Sequence, residues 1–274
     1  MTRVALATCS RLPRLDADGP ALVAALDAAG VRGEPVVWDS GADWAAYELV
    51  VVRSTWDYVP RRQEFLAWAA SVPRLANPAE VLAWNTDKRY LGELATAGVP
   101  VVPTTFVAPG EAYQPPSYEH VVKPTVSAGS RDTRRFAAGE SSAAHAAALL
   151  DGGRPVLVQP YVAAVDAAGE TSVLSFLGVH SHAARKAAVL VPGAGHPDDV
   201  AITPRDATAA ELAVARQALD QVPGGPLLYA RVDLVPGPDG PLLMELEVTE
   251  PAMFLSQSAG AAERFAAAVV ELLG

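Results

Sequence analysis

Two apolar runs near the end of the chain, LYARVDLV and LLMELEVTEP, bracket the turn-forming segment PGPDG, Pro236 to Gly240, and read as an antiparallel hairpin. Alternation of side chains along a strand puts Glu245 and Glu247 on one face and Leu246 and Val248 on the other. Asp233 lies a similar distance back from the turn on the partner strand, so it should stand beside Glu245. Three carboxylates on one sheet face repel one another unless a cation sits among them. A solvated acidic strand face is one reading of the pattern. The Leu, Val and Met content of both strands favours the other, a half-buried site for Mg²⁺, which takes hard oxygen ligands and bridges carboxylates to phosphates.

The rest of the chain narrows the class. Its 274 residues, 50% hydrophobic and 19% charged, suffice for two domains or for one large domain carrying a lid, and argue against disorder. The net charge of −10 does not favour a polyanionic partner, so nucleic acid is not expected. No apolar run approaches the roughly 18 to 20 residues of a membrane span, and MTRVALATCSRLPR does not read as a secretory signal. A cytoplasmic protein without membrane contact is the expectation. Cys9 is the only cysteine and reads as a small buried hydrophobe at a strand end.

The first 75 or so residues alternate strand and helix: strands at Val4–Cys9, Glu34–Asp39 and Glu48–Arg53, with helices from Pro20 to Ala29 and after Pro60. A junction follows at Asn77-Pro78, then a helix from about Thr86 to Ala97. The segment 118–162 reads as strand, small-residue loop, strand, Ala-rich helix and strand. Strands Thr171–Leu177 and Val179–Lys186, a loop from Val191 to Val200, a helix near Ala207–Gln221, the hairpin and a final helix complete the chain.

Motif spacing excludes several chemistries. There is no G-x-x-x-x-G-K-[ST], no G-x-G-x-x-G after the first strand, no H-E-x-x-H and no G-x-S-x-G. The histidines at 120, 145, 180, 182 and 196 show only an H-x-H, which reads as structural. Two lysines stand out. Lys123 lies inside the apolar strand HVVKPT, where an unpaired ammonium is costly and an anion is expected nearby. Lys88 lies in the first turn of its expected helix, in NTDK, where exposed N–H groups and the helix dipole also favour an anion. Either lysine alone reads as a surface ion pair; with the carboxylate hairpin they outline an ATP clamp. At the carboxyl end of the third strand, RSTWDY holds Arg53, Ser54, Trp56, Asp57 and Tyr58. Arg53 would fork onto a substrate carboxylate and the neighbouring residues would hold an amine, or the segment is an ordinary turn. Glu250, just past the hairpin, either faces substrate or caps the turn.

From Asn77 to Phe254 the ordered succession NPAEVLAWNTDK, VVKPTVSAGS, VQPYV, GETSVLSF, HAARK, YARVDLV and MELEVTEP resembles the ATP-grasp superfamily, in particular its glutathione-synthetase-like branch. In size, and in its RSTWDY and ELEVTEP segments, the chain is also similar to the cycloserine-forming ATP-grasp ligases, which cyclise O-ureidoserine. The resemblance implies an α/β fold, α+β in its C-terminal part. It would comprise a small open α/β substrate domain (1–76), a linking segment (77–117), a mobile lid (118–162) and an antiparallel-sheet catalytic domain (163–274). It further implies phosphate contacts from Lys88 and Lys123, a lid loop of Ser127, Gly129 and Ser130, and an adenine hinge of Gln159, Tyr161 and Val162. Glu170 would hold the ribose, with Asp166 as a substitute. Arg185, assisted by Lys186, would act beside the transferred phosphate, and Asp233, Glu245 and Glu247 would hold Mg²⁺, with Mn²⁺ able to substitute. Glu247 departs from the asparagine of glutathione synthetase.

The activity implied is an ADP-forming carbon–nitrogen ligase acting on an amino-acid-like small molecule, joining two substrates or closing a ring within one, with homo-oligomerisation common in the family. A non-catalytic Mg-nucleotide-binding module is the alternative of another class.

Overall fold

The structure is a computed structural model, described here for residues 1–190, 200–224 and 227–274. The loop from Val191 to Val200 singled out above, with His196, therefore lies almost wholly outside the described residues.

The N-terminal unit is a four-stranded parallel sheet in the order β2-β1-β3-β4. Its strands are β1 (Thr2–Thr8), β2 (Val31–Val37), β3 (Leu49–Ser54) and β4 (Leu75–Ala76). Both faces of β1 and β3 are buried, which is why ALA and LVVV carry no polar alternation. Helix α1 (Gly19–Ala28) covers one face and α2 (Arg62–Ser71) the other. The chain then makes α3 (Ala79–Asn85) and α4 (Tyr90–Thr96), short helices separated by a turn. The helix expected from about Thr86 to Ala97 begins only at Tyr90, an unexpected helix α3 precedes it, and Lys88 lies in the turn between the two rather than in a first helical turn.

A four-stranded antiparallel sheet follows, ordered β5-β8-β6-β7: β5 (Thr105–Val107), β6 (His120–Pro124), β7 (Arg134–Phe136) and β8 (Val156–Pro160), with α5 (Ala143–Asp151) packed on one face. The short α6 (Val165–Ala168) ends at Gly169, whose φ is +71°. A Cβ there would come 2.5 Å from the Lys186 carbonyl oxygen, so a side chain is excluded where the chain turns into Glu170.

The third sheet is antiparallel, ordered β11-β10-β9-β12-β13. It comprises β9 (Glu170–Phe176), β10 (Val179–Lys186), β11 (Ile202–Arg205), β12 (Tyr229–Gly237) and β13 (Gly240–Glu247), with α7 (Ala209–Leu219) on one face and α8 (Ala261–Leu273) on the other. Helices α8 and α1 pack together, so one core runs from the N-terminal sheet into the third sheet through Leu26, Leu174, Phe176, Tyr229 and Phe265. Asn77, at φ +57°, ties the units at their junction. Its amide donates to the carbonyls of Tyr229 and Val248, at 2.9 and 2.7 Å, and accepts from the Leu228 N–H at 2.8 Å. No helix among the described residues is long and apolar enough to cross a membrane.

Candidate active site

The hairpin register follows directly from its side-chain alternation. Asp233 is paired with Glu245 and Arg231 with Glu247 across β12 and β13, with an irregularity between Asp233 and Leu234. Leu246 and Val248 are buried in the core below, while Glu245 and Glu247 rise toward a cleft of about 880 Å³. The cleft runs from the N-terminal unit, between the second and third sheets, to the β8 hinge.

Most of the expected site residues line it. From the second sheet and its loop come Lys123, Ser127, Gly129 and Ser130; from the hinge Gln159, Tyr161 and Val162. The third sheet adds Glu170, Lys186, Glu245 and Glu247, and the inter-helical turn adds Lys88. Gly129 and Ser130 both have positive φ, +60° and +55°. Trp56, Tyr58 and Glu250 line the opposite end.

Five residues are placed otherwise. Arg53, expected to fork onto a substrate carboxylate, is only 1% exposed; its guanidinium lies under the site, 3.7 Å from Asp16, and makes no hydrogen bond. Ser54 is buried against Thr8, 2.7 Å between hydroxyls. Asp57 accepts from the Trp38 indole at 2.9 Å and from Arg61 at 3.1 Å, so its carboxylate is engaged within the N-terminal unit. Arg185 points out of the cleft: its guanidinium donates to the carbonyls of Ala168 and Ala167, at 2.6 and 2.8 Å. Asp233 sits on the floor, 1% exposed, with Arg231 and Lys186 around it.

Arg231, and not Arg185, lines the cleft. Two residues before Asp233, it projects from the same strand face, donates twice to Asp233 (3.0 Å from both Nε and Nη2), and also bonds Glu247. Sequence reasoning passed over it, although R-x-D on one strand face carries the signal. Arg11 and Arg131, also in the lining, were missed as well; Arg11 follows the carboxyl end of β1, where open α/β sheets present ligands. Asp166 bonds the Tyr161 hydroxyl and is outside the cleft.

Every carboxylate of the hairpin face has a cation. Lys88 meets Glu245 at 3.0 Å, Lys186 meets Glu170 at 2.6 Å, and Arg231 bridges Asp233 and Glu247. Burial works against ionisation of Asp233, but Arg231 and Lys186 outweigh it and hold the acid at about 2. Burial likewise opposes ionisation of Glu245, and Lys88 and Lys123 bring its pKa below the usual range. Glu247 goes the other way, to about 7, because burial and its two acidic neighbours exceed the help of Arg231. Burial pulls the Lys123 pKa down despite Glu245, leaving an ammonium that gains from an added anion.

With these residues as partners of one another, no three metal-ligating side chains among the described residues converge on a single point. The expected three-carboxylate centre is thus a cation-bridged network here. Its oxygen donors are of the kind a divalent cation takes when phosphate oxygens complete its shell.

Comparison with known proteins agrees with this architecture. Residues 4–77 match the family model of the N-terminal domain of D-cycloserine synthetase DcsG. The cycloserine biosynthesis protein DcsG of Streptomyces lavendulae is 41% identical over 283 aligned residues, spanning 94% of this chain and 95% of that protein. The crystal structure of D-cycloserine synthetase DcsG superposes with a TM-score of 0.91 at 40% identity, covering 99% and 100% of the two chains. At 14% identity, the ATP-grasp ligase PsnB, complexed with a phosphomimetic variant of its minimal precursor, Mg and ADP, shares the fold with a TM-score of 0.66 over 100% and 99% of the chains.

Fold and cleft define an ATP-dependent carbon–nitrogen ligase of the ATP-grasp class. Within that class the chain belongs to the D-cycloserine synthetase DcsG family.

Proposed function

We propose that this enzyme closes a ring within one substrate, converting O-ureidoserine to cycloserine at the expense of ATP. The observation that carries the reading is 41% identity to the cycloserine biosynthesis protein over nearly all of both chains, joined to a cleft with a cationic nucleotide end and an aromatic, acidic far end. In the proposed reaction the substrate carboxylate attacks the γ-phosphorus and ADP departs. The nitrogen bonded to oxygen then attacks the acyl carbon, phosphate leaves with the C–N bond made, and the nitrogen sheds its proton. Loss of the carbamoyl group to water, as CO₂ and ammonia, completes cycloserine.

The residues divide by position. Lys88, Lys123, Lys186 and Arg131 would neutralise the phosphates, aided by the backbone of Gly129 and Ser130. Tyr161 and Val162 would read adenine with their backbone groups, and Glu170, 2.6 Å from Lys186, would hold the ribose. Asp233, Glu245 and Glu247 would hold Mg²⁺, or Mn²⁺ in its place, which supplies charge neutralisation for the transferring phosphoryl group. Arg231 would stabilise the oxyanion as the ring nitrogen attacks; it lies in the cleft wall with its fork already held by two carboxylates. Trp56 and Tyr58 would wall the substrate end, and exposed Arg11 stands at its mouth. A homo-oligomer and a cytoplasmic location fit the same reading.

The test is Mg²⁺-dependent nucleotide release against O-ureidoserine, serine and dipeptides, each with and without an added amine. ADP stimulated by O-ureidoserine alone is the expected result. AMP as product would overturn the acyl-phosphate route, and dependence on a second amine would return the enzyme to intermolecular ligation.

A further inference from the structure

Four carboxylates line the cleft: Glu170, Glu245, Glu247 and Glu250. Three are ion-paired, with Lys186, Lys88 and Arg231 respectively. Glu250 makes no ion pair among the described residues, although only 8% of it is exposed. A carboxylate withdrawn from water without a cation is costly to ionise.

Its surroundings are built from both ends of the chain. The Trp56 indole N–H donates to the Glu250 carbonyl at 3.0 Å, fixing the ring beside this residue. Buried Tyr58 lines the same end of the cleft. The Tyr58 ring is itself held by stacking on Phe65, with centroids 4.8 Å apart. An unpaired carboxyl group beside an indole and a phenol, in a cleft whose other carboxylates are ion-paired, suits a small cation. We infer that Glu250, with Trp56 and Tyr58, is the subsite for the α-ammonium of the substrate.

The inference rests on the reading above that the substrate is amino-acid-like, and it deepens it by assigning one end of that molecule. With the ammonium on Glu250, the carboxylate of the same α-carbon would remain within the cleft that Lys88 and Arg231 also line. Burial and the Glu247 charge raise Glu250 to about 8 when the subsite is empty. An arriving ammonium would therefore find an acid that gains its charge on pairing.

Calorimetry on the full chain with a Mg²⁺-bound non-hydrolysable ATP analogue tests this without requiring turnover. The ligands are O-ureidoserine and its desamino counterpart, 3-(ureidooxy)propanoate. In the unmodified enzyme the amino form should bind roughly 100-fold tighter, the scale of losing a charge-assisted contact at a desolvated site. In Glu250→Gln that ratio should collapse to within about threefold while affinity for the nucleotide stays the same, and Glu250→Asp should restore part of it. A ratio as large in Glu250→Gln as in the unmodified enzyme would overturn the assignment, as would equal binding of both ligands by the unmodified enzyme. If the ratio depends on Glu250 but O-ureidoserine gives no cycloserine, the cyclisation reading fails and the ammonium subsite stands.

Discussion

The Lys88 ammonium stands 3.0 Å from the Glu245 carboxylate and donates to the Ser127 carbonyl at 2.7 Å. One side chain, from a turn between two helices, thus joins the acidic hairpin to the small-residue loop of the second sheet. Its own backbone N–H is anchored to the Thr125 carbonyl at 2.8 Å.

In the proposed reaction, phosphates entering the cleft would compete with Glu245 for this ammonium. Lys88→Met should raise the ATP KM by about tenfold or more and lower kcat, since a charge-assisted contact is removed at the nucleotide end. Glu245→Gln should lower kcat by at least about 100-fold with the melting temperature changed by only a few degrees. Steady-state kinetics with a thermal melt check both; near-normal turnover in either variant contradicts the roles given to this pair.

Arg231 and Arg185 are predicted to behave in opposite ways. Arg231→Lys keeps the charge but loses the fork that grips Asp233 and Glu247, so kcat should fall by about 100-fold. Arg185→Ala frees only the Ala167 and Ala168 carbonyls, and kcat should stay within about threefold. The reverse order would restore Arg185 as the arginine beside the phosphate.

Much of this arrangement is legible in the chain because it follows from alternation. The pairing of Asp233 with Glu245, and the burial of Leu246 beneath Glu245 and Glu247, needs only a strand period of two and a turn at Pro238-Asp239. The same rule was available for Arg231, yet R-x-D draws less notice than E-x-E. Strand β11 escaped notice because ITPR is short, half exposed and contains proline. The start of α4 at Tyr90, and not at Thr86, escaped because no glycine or proline marks Thr86–Arg89. Asn85 spends its side chain on the Leu246 carbonyl and the Val248 N–H instead, and such long-range bonds have no local signature. The burial of Arg53 escaped for a related reason: a guanidinium at a strand end looks solvent-facing until the fold sets it over the Tyr229 ring.

That burial sets the expectation for Arg53. Arg53→Ala should lower the melting temperature by several degrees, because it removes the cation 3.7 Å from the Asp16 carboxyl, whose pKa burial already raises. The KM values for ATP and for O-ureidoserine should both hold. A selective rise in the substrate KM would mean that the guanidinium reaches the substrate after all.

Glu250 carries a pH signature of its own. Its folded pKa of about 8 lies above the ordinary 4.5, so between those values the folded chain holds a proton that the unfolded chain has lost. Stability supplied by this group therefore falls as pH rises through that window and levels off above it. Glu250→Gln removes the effect: in the ligand-free protein its melting temperature should exceed that of the unmodified enzyme, by a margin that widens from pH 5 to pH 8. A constant or inverted margin would contradict the burial argument.

The claim on which the account turns is intramolecular C–N bond formation. The most direct measurement is cycloserine itself, quantified beside ADP after the enzyme is mixed with ATP, Mg²⁺ and O-ureidoserine and no other amine. The account predicts cycloserine and ADP in equal amounts, with ammonia released in step. ADP without cycloserine, or a carbon–nitrogen product only when a second amine is supplied, would contradict it.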